Sequence, residues 1–268
     1  MTEHHRKFRS EEALRSFKDE VLRERRYFWS EAAQDFLNTV AITSRRRVRS
    51  ISAGSKFWRA QLGHRTEQDK RSGEKVIKPH PEERMRPLSD RAIEGRVNPK
   101  GIPCLYFATS PEVAMTEVRP WIGSTISLAA FETTRDLKLV DCSQPPANNS
   151  QDPIENAVWA EINEAFAEPI VRSDTTGDYS ATQILAEVFK GEGVDGVIYM
   201  SAFLESGLNL ALFDLDCARL LDTTLFKVEN ASFEFAPLDP KEVDELPPQG
   251  YARPGQEKRK TSAEGIAQ

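Results

Sequence analysis

Short apolar runs that end in helix-start signals constrain the fold of this chain more than any other feature of its sequence. Residues 104–108 are apolar and predict a buried strand. Directly after them, Ser110-Pro111-Glu112 offers a capping hydroxyl, a proline for the first helical position and an acid for the first turn. This helix should end at Arg119, because a proline follows. Strands and helices therefore alternate at short intervals, which indicates an α+β fold.

Apolar segments of strand length recur on both sides of this unit. Further strands are predicted at residues 57–62, 125–133, 137–142, 196–201 and 210–214. Two of these segments, 125–133 and 137–142, are predicted to form a pair of strands around a turn at Arg135-Asp136.

Helix signals fill much of the remaining central sequence. Helices are predicted over residues 153–167 and after Ser180-Ala181-Thr182-Gln183, which has the pattern of a capping box. Residues 191–196 spell GxGxxG, but a dinucleotide site needs a strand before the glycines and a helix after them. Because the order here is reversed, we interpret them as a helix end and a turn. Residues 63–95 are polar and proline-containing, which favours loop or partial helix.

The two ends of the chain differ from the central pattern. Within residues 10–43, apolar side chains such as Leu14, Phe17 and Phe28 recur at helical spacing, and Ser30 is consistent with a break between two helices. The last part of the chain is rich in Pro, Lys, Glu and Gly and has little to bury. We therefore predict a helical segment over 1–50, a main domain over 51–235 and a largely disordered tail over 236–268.

Charge and cysteine usage argue against several classes of protein. No stretch approaches the roughly 20 apolar residues of a membrane span, and the charged N-terminus predicts no signal peptide. Three scattered cysteines and four histidines form no disulfide framework and no metal-ligand spacing, which favours a cytoplasmic protein without a metal site. The net charge of −6 argues against nucleic acid as a direct partner, although residues 1–50 carry a net +4.

Three groups of residues that occur in a fixed order carry the functional signal. They are residues 57–60, residues 95–108 with 114–120, and Gln183 followed by 195–201 and 207–210. In this order they resemble the RES domain, which is named for an arginine, a glutamate and a serine. Here those residues are Arg59, Glu117 and Ser201. The resemblance runs from about Phe57 to Asp222, and similar helices precede the domain in a longer subgroup.

The resemblance implies a fold, a reaction and a partner. The implied fold has the mixed sheets and flanking helices of mono-ADP-ribosyltransferases, here with an added N-terminal helical segment. The implied reaction is cleavage of NAD⁺, in some members with inorganic phosphate as the acceptor, and it needs no permanently bound cofactor. Many members are toxins that an Xre-type helix-turn-helix antitoxin neutralises. For residues 1–50, formation of a homodimer, partner docking and autoinhibition all stay open.

The chemistry of NAD⁺ cleavage also points to a carboxylate. Nicotinamide leaves as a neutral amine, so no general acid is required, but the cation that forms on the ribose lacks a counter-charge. A fixed carboxylate supplies it, as in glycosidases, and Glu117 is the candidate. The alternative is a solvated helix carboxylate that pairs with Arg119 or Lys100.

The remaining predicted site residues would bind the substrate. Arg59 would bind the pyrophosphate or an incoming phosphate, because one guanidinium can donate two parallel hydrogen bonds to a phosphate group. Arg96 would bind a second phosphate oxygen. The family often has two glycines and a tryptophan where this chain has Glu94 to Val97, which leaves the role of Arg96 open. Tyr106 would stack on the nicotinamide or the ribose or else pack in the core.

Ser201 and Asn98 complete the predicted site. Ser201 ends a strand and would donate a hydrogen bond to the substrate, but it lacks a nearby base and is not expected to be a nucleophile. Asn98 is predicted to contact the substrate. The predicted function is cleavage of NAD⁺ by a phosphorylase or a glycohydrolase. The alternatives are an ADP-ribosyltransferase that modifies a macromolecule and a non-catalytic module that binds NAD⁺ or a partner.

Overall fold

The computed structural model describes residues 7–88, 92–143, 152–168, 179–232, 235 and 237. Within these residues the helices are α1 Ala13–Arg23, α2 Glu31–Ser44, α3 Glu82–Met85, α4 Pro111–Glu117, α5 Pro153–Ala167 and α6 Ser180–Gly191. The strands are β1 Val48–Ile51, β2 Lys56–Leu62, β3 Arg65–Gln68, β4 Lys75–Lys78, β5 Leu105–Ala108, β6 Thr125–Thr133, β7 Leu137–Asp141, β8 Gly196–Met200, β9 Leu208–Leu212 and β10 Ala218–Lys227. A 3₁₀ turn, Arg45–Arg47, links α2 to β1.

Most of the strands form one large mixed sheet. Its order is β1-β7-β8-β9-β5-β2-β6-β10, and β3 pairs with β4 in a separate hairpin. The pair β7 and β8 is parallel, whereas the other neighbours run antiparallel. With helices flanking this sheet, the prediction of an α+β fold with a mixed sheet and N-terminal helices is confirmed.

The N-terminal helices pack into the same core as the central helices. Leu14 and Phe36 lie in one buried cluster with Trp159 and Phe189, and this cluster covers the sheet at Val197. The cluster includes the apolar stripe predicted for α1, because its members recur every three or four residues and so share one helix face.

Two further clusters complete the interior. The opposite face of the sheet buries Phe107, Phe131 and Leu210. A smaller cluster under α4 contains Ala114 and Leu128. Helix α4 therefore packs directly on β2, β5 and β6.

Some sequence predictions were wrong in detail. Phe28 was assigned to the buried stripe but is 87% exposed, because it lies in the connection between α1 and α2. The region 63–95 contains the β3–β4 hairpin, whose mostly exposed and charged side chains gave no strand pattern. The strand predicted at 210–214 begins two residues earlier, at Leu208.

The strands β6 and β7 are not paired with each other, contrary to prediction. Four strands separate them in the sheet, since β6 pairs with β2 and β10, and β7 pairs with β1 and β8. The connection between them is bonded to other parts of the chain rather than closed as a hairpin. Thr134 N donates to the Cys217 carbonyl, and Asp136 Oδ1 accepts from Ala53 N.

Other predictions are confirmed or stay open. Helix α6 ends at Gly191, Gly193 has a φ of 77°, and β8 begins at Gly196, so the GxGxxG match is a helix end and a turn. Among the described residues no helix has the length and apolar character to cross a membrane. The tail predicted for 236–268 lies outside the described residues except for Pro237, and the predicted domain boundaries stay predictions.

Candidate active site

The large sheet opens between β2 and β5. These strands are joined at a single pair, Trp58 with Ala108, whereas β2 pairs with β6 at seven positions. A cavity of about 300 Å³, called the junction cavity below, lies at this opening. Its lining includes Trp58, Arg59, Tyr106, Glu117, Tyr199 and Asn209. A gap in main-chain pairing thus leaves room for side chains to form a pocket.

Arg59 lies on the β2 wall of the junction cavity. Its Nη1 donates to the Tyr106 carbonyl at 3.1 Å, so the side chain bridges β2 and β5 beside their single main-chain pair. The Nε atom is shielded from water and has no hydrogen-bond partner among the described residues. Burial lowers the pKa of Arg59 to about 10, and the nearby Arg84 cation acts in the same direction. Arg59 thus lines the cavity without an ion pair among the described residues, and this suits the binding of an anion.

Glu117 is the last residue of α4, and the local sequence explains its position. Ser110 caps the helix by accepting a hydrogen bond from Val113 N, and Pro111 occupies the first turn, as predicted. The helix ends two residues before the predicted Arg119, which has a φ of 48°. Helix α4 packs on β2, so its C-terminus delivers the carboxylate to the cavity.

Two donors hold one oxygen of the Glu117 carboxylate. Ser201 Oγ donates to Oε1 at 2.8 Å, and Asn209 Nδ2 donates to the same atom at 2.6 Å. Ser201 Oγ also accepts from Phe203 N at 3.2 Å, so its single proton is directed at the carboxylate. Among the described residues Glu117 forms no ion pair with Arg119, whose guanidinium lies over the Phe203 ring, or with Lys100. The predicted glutamate and serine are therefore in direct contact.

Tyr106 lines the junction cavity, but its hydroxyl is used by the neighbouring loop. The hydroxyl donates to Asn98 Oδ1 at 2.7 Å and accepts from Val97 N at 3.0 Å. A Cβ atom at Gly95 would lie 2.6 Å from this hydroxyl, so the loop requires glycine there. Burial raises the pKa of Tyr106 well above its ordinary value. The ring is therefore the part of Tyr106 that is available to a ligand.

Asn98 holds the loop rather than lining the cavity. The residue is buried, and its Nδ2 donates to the carbonyls of Ile93 and Ile102 at 3.0 and 2.7 Å. Gln183 adds to this loop, because its Nε2 donates to the carbonyls of Gly95 and Asn98. The predicted capping box is therefore wrong: Tyr179 is the residue before α6, and the Gln183 amide serves the loop instead.

Arg96 also lines the junction cavity, with part of its guanidinium already engaged. Its Nε and Nη2 donate to the carbonyl of Glu168, the residue that follows α5, at 3.2 and 2.7 Å. Tyr199 lies near it on β8. Burial raises the pKa of Tyr199, and the Arg96 cation opposes that shift. Arg96 thus joins α5 to the cavity wall, and fewer of its donors are free than the sequence suggested.

Sequence reasoning did not single out Asn209, the second donor to Glu117. A usable signal was present, since an asparagine interrupts the apolar run of β9 and is 5% exposed. Buried amides are nearly always hydrogen-bonded, so such a residue implies a polar partner. The identity of that partner depends on contacts distant in sequence, and the pattern of β9 alone does not contain it.

Comparison with known proteins identified a matching family and similar solved structures. A family model described as the RES domain matches residues 56–236. Among solved structures, the crystal structure of the M. tuberculosis MbcT-MbcA toxin-antitoxin complex is similar, with a TM-score of 0.42 and 18% sequence identity. That match covers 70% of this chain and 92% of the other chain. A search of curated proteins found no match.

Proposed function

This chain belongs to the RES domain family, and we propose that it cleaves the bond between nicotinamide and ribose in NAD⁺. The observation that carries the proposal is that a carboxylate, Glu117, and a buried guanidinium, Arg59, line the same cavity. The substrate combines a ribose that becomes cationic with a pyrophosphate that is anionic. A cavity with one group of each sign suits such a molecule.

Glu117 would stabilise the charge that forms on the ribose as nicotinamide leaves. The departing nicotinamide is neutral, so the carboxylate acts as a counter-charge and no proton has to be supplied. Its Oε1 is fixed by Ser201 and Asn209, and no hydrogen bond to Oε2 occurs within the described residues. A carboxylate held in this way needs little reorganisation in the transition state.

Arg59 would bind an anionic group of the substrates, either the pyrophosphate of NAD⁺ or an incoming phosphate. The side chain lines the cavity and, among the described residues, donates only from Nη1 to the Tyr106 carbonyl, so further guanidinium donors are left for phosphate oxygens. Arg96 would contribute less than Arg59, because two of its donors contact the Glu168 carbonyl. The acceptor of the ADP-ribosyl group would be phosphate or water.

The proposal extends to a biological role on the family resemblance alone. A protein that consumes NAD⁺ in the cytoplasm would be toxic, and in the related toxins an Xre-type helix-turn-helix antitoxin neutralises this activity. The expected partners are therefore NAD⁺ and such an antitoxin. Co-expression with the gene that adjoins this one tests this part, and rescue of growth is the expected result.

The test of the reaction is NAD⁺ consumption by the purified protein, with and without millimolar phosphate. A phosphate requirement with ADP-ribose-1″-phosphate as product would identify a phosphorylase, and free ADP-ribose without phosphate would identify a glycohydrolase. Glu117→Gln should lower the rate by about 10²- to 10³-fold, because it removes the counter-charge but keeps the shape. Glu112→Gln is the matched control, since Glu112 is an exposed residue of the same helix and lies outside the cavity lining.

Two outcomes would redirect the proposal. Labelled ADP-ribose that appears on protein or nucleic acid would favour an ADP-ribosyltransferase, which would use the same cavity with a macromolecular acceptor. A folded wild-type protein that leaves NAD⁺ intact in both buffers would overturn the enzymatic proposal and favour a binding module.

A further inference from the structure

Asn209 contacts the Glu117 carboxylate from the middle of the sheet. It lies on β9 between its two neighbours, opposite Ala108 of β5 and opposite Tyr199 of β8. Ala108 in turn pairs with Trp58, so these residues form one row across the sheet at the point where the junction cavity opens. The side chain of Asn209 therefore rises from a strand that is fixed on both sides.

The two donors to Glu117 come from separate elements but meet the same atom. Ser201 follows β8 and Asn209 lies on β9, and both donate to Oε1. Ser201 Oγ is itself held by Phe203 N. The contact of 2.6 Å from Asn209 is the shorter of the two. Because both donors occupy one oxygen, they orient the plane of the carboxylate, and Oε2 has no hydrogen bond among the described residues.

We propose that Asn209 is a positioning residue that orients the Glu117 carboxylate for the reaction. The inference rests on the proposed NAD⁺ cleavage, and it assigns the amide a function beyond holding β9 in the sheet. The main-chain bonds of β9 to both neighbours do not involve the side chain. The amide is therefore dispensable for strand pairing and is free to act on the carboxylate.

The first variant removes the donor. Asn209→Ala should lower kcat about 10- to 100-fold, because a hydrogen bond to a charged group is lost. KM should change less than about threefold, since the amide orients the carboxylate and does not hold the anionic part of the substrate. Asn209→Ala combined with Ser201→Ala should lose less than the product of the two single effects, because both donors act on one atom.

The second variant keeps the shape and changes the charge. Asn209→Asp brings a second carboxylate against Oε1, and two carboxylates at this distance favour sharing a proton. The acid limb of kcat should therefore move to higher pH by about one unit or more. The other charged or titratable side chains that line the cavity, Arg59, Arg96, Tyr106, Tyr179 and Tyr199, are the same in both proteins.

Asn38→Ala and Asn38→Asp are the matched controls. Asn38 lies on α2, where its amide oxygen accepts from Gln34, and it is not part of the cavity lining. Both controls should keep the wild-type kcat and pH profile. Thermal melting of every variant measures the folded fraction, so rates are compared per folded molecule.

The outcomes separate the inference from the proposed function. An active wild-type protein with a lowered kcat in Asn209→Ala and a moved acid limb in Asn209→Asp supports the inference. An active wild-type protein whose Asn209 variants match it in kcat and pH profile overturns the inference alone. A wild-type protein that consumes no NAD⁺ overturns both, and the proposed function fails first in that case.

Discussion

The arginine turn at residues 45–49 and the junction cavity both hold a guanidinium away from water, but they differ in the charges around it. In the turn, Arg46 donates twice to Glu155, at 2.8 and 2.7 Å. Arg47 is buried over the Trp159 ring at 4.4 Å. Burial lowers the pKa of Arg47, and the charges of Glu155 and Asp141 oppose that shift. Carboxylates of β7 and α5 therefore supply counter-charges to the turn.

The junction cavity lacks this compensation at its arginine. Arg59 donates to one main-chain carbonyl, has Arg84 as a nearby cation and forms no ion pair among the described residues. Glu117 lines the same cavity but is held by Ser201 and Asn209 instead. Uncompensated burial of a charge lowers stability unless a ligand supplies the missing partner. The difference separates an arginine with a structural role from one that fits an anionic substrate.

The largest expected effect is on activity, at Arg59. Arg59→Met should lower kcat/KM for NAD⁺ by about 100-fold or more, because it removes the cation that would bind the phosphate groups. The melting temperature should stay within about 2 °C of wild type, since loss of a buried and uncompensated charge is tolerated. Added phosphate should raise the melting temperature of the wild type but not of the variant. Full activity in Arg59→Met would show that Arg59 does not bind the substrate, and the arginine turn and the junction cavity would then not differ in function.

The next effect is on stability, at Arg47. Arg47→Met should lower the free energy of unfolding by about 2 kcal/mol, because the carboxylates near it lose part of their counter-charge. The activity per folded molecule should stay within about twofold of wild type, since Arg47 is not part of the cavity lining. Urea unfolding monitored by circular dichroism measures the first quantity. A loss of activity at unchanged stability would contradict a structural role for the turn.

The smallest effect is expected at the hydroxyl of Tyr106. Tyr106→Phe should lower the free energy of unfolding by about 1 kcal/mol, because the bonds to Asn98 and Val97 are lost, while the ring stays in the cavity. Since burial raises the pKa of Tyr106 well above its ordinary value, the hydroxyl should stay protonated, and the variant should keep the wild-type pH profile up to about pH 10. An alkaline limb that disappears in the variant would show that the hydroxyl takes part in the reaction.

Local features of the fold were predictable because they depend on neighbouring residues. The start of α4 follows from Ser110 and Pro111, and the full extent of α5 follows from its apolar spacing after Pro153. The edge strand β10 was missed, since polar and exposed residues break its alternation. Pairing partners were not predictable either, because the β6–β7 connection is bonded to Ala53 and Cys217, which are distant in sequence.

In the candidate site, too, the residue types were predictable from the sequence, whereas the contacts between distant residues were not. Glu117 and Ser201 were singled out by resemblance, and the structure brings them into contact at 2.8 Å. Asn98 and Arg96 were expected to bind the substrate, but the bonds that engage them, to Ile93 and Ile102 and to Glu168, depend on how the loop and α5 fold together. Short-range patterns identify the residue types that carry chemistry. The hydrogen-bond partner of each side chain depends on contacts between residues that are distant in sequence.

The order of strands in the large sheet also governs when the site can exist during synthesis. Strand β9 lies between β8 and β5, yet it is made long after Glu117 has left the ribosome. A nascent chain that ends before Leu208 lacks both Asn209 and the strand that joins β8 to β5, so its Glu117 carboxylate lacks one of its two donors. Translation would therefore finish most of the molecule before the junction cavity is complete, and premature termination would release fragments without the complete cavity.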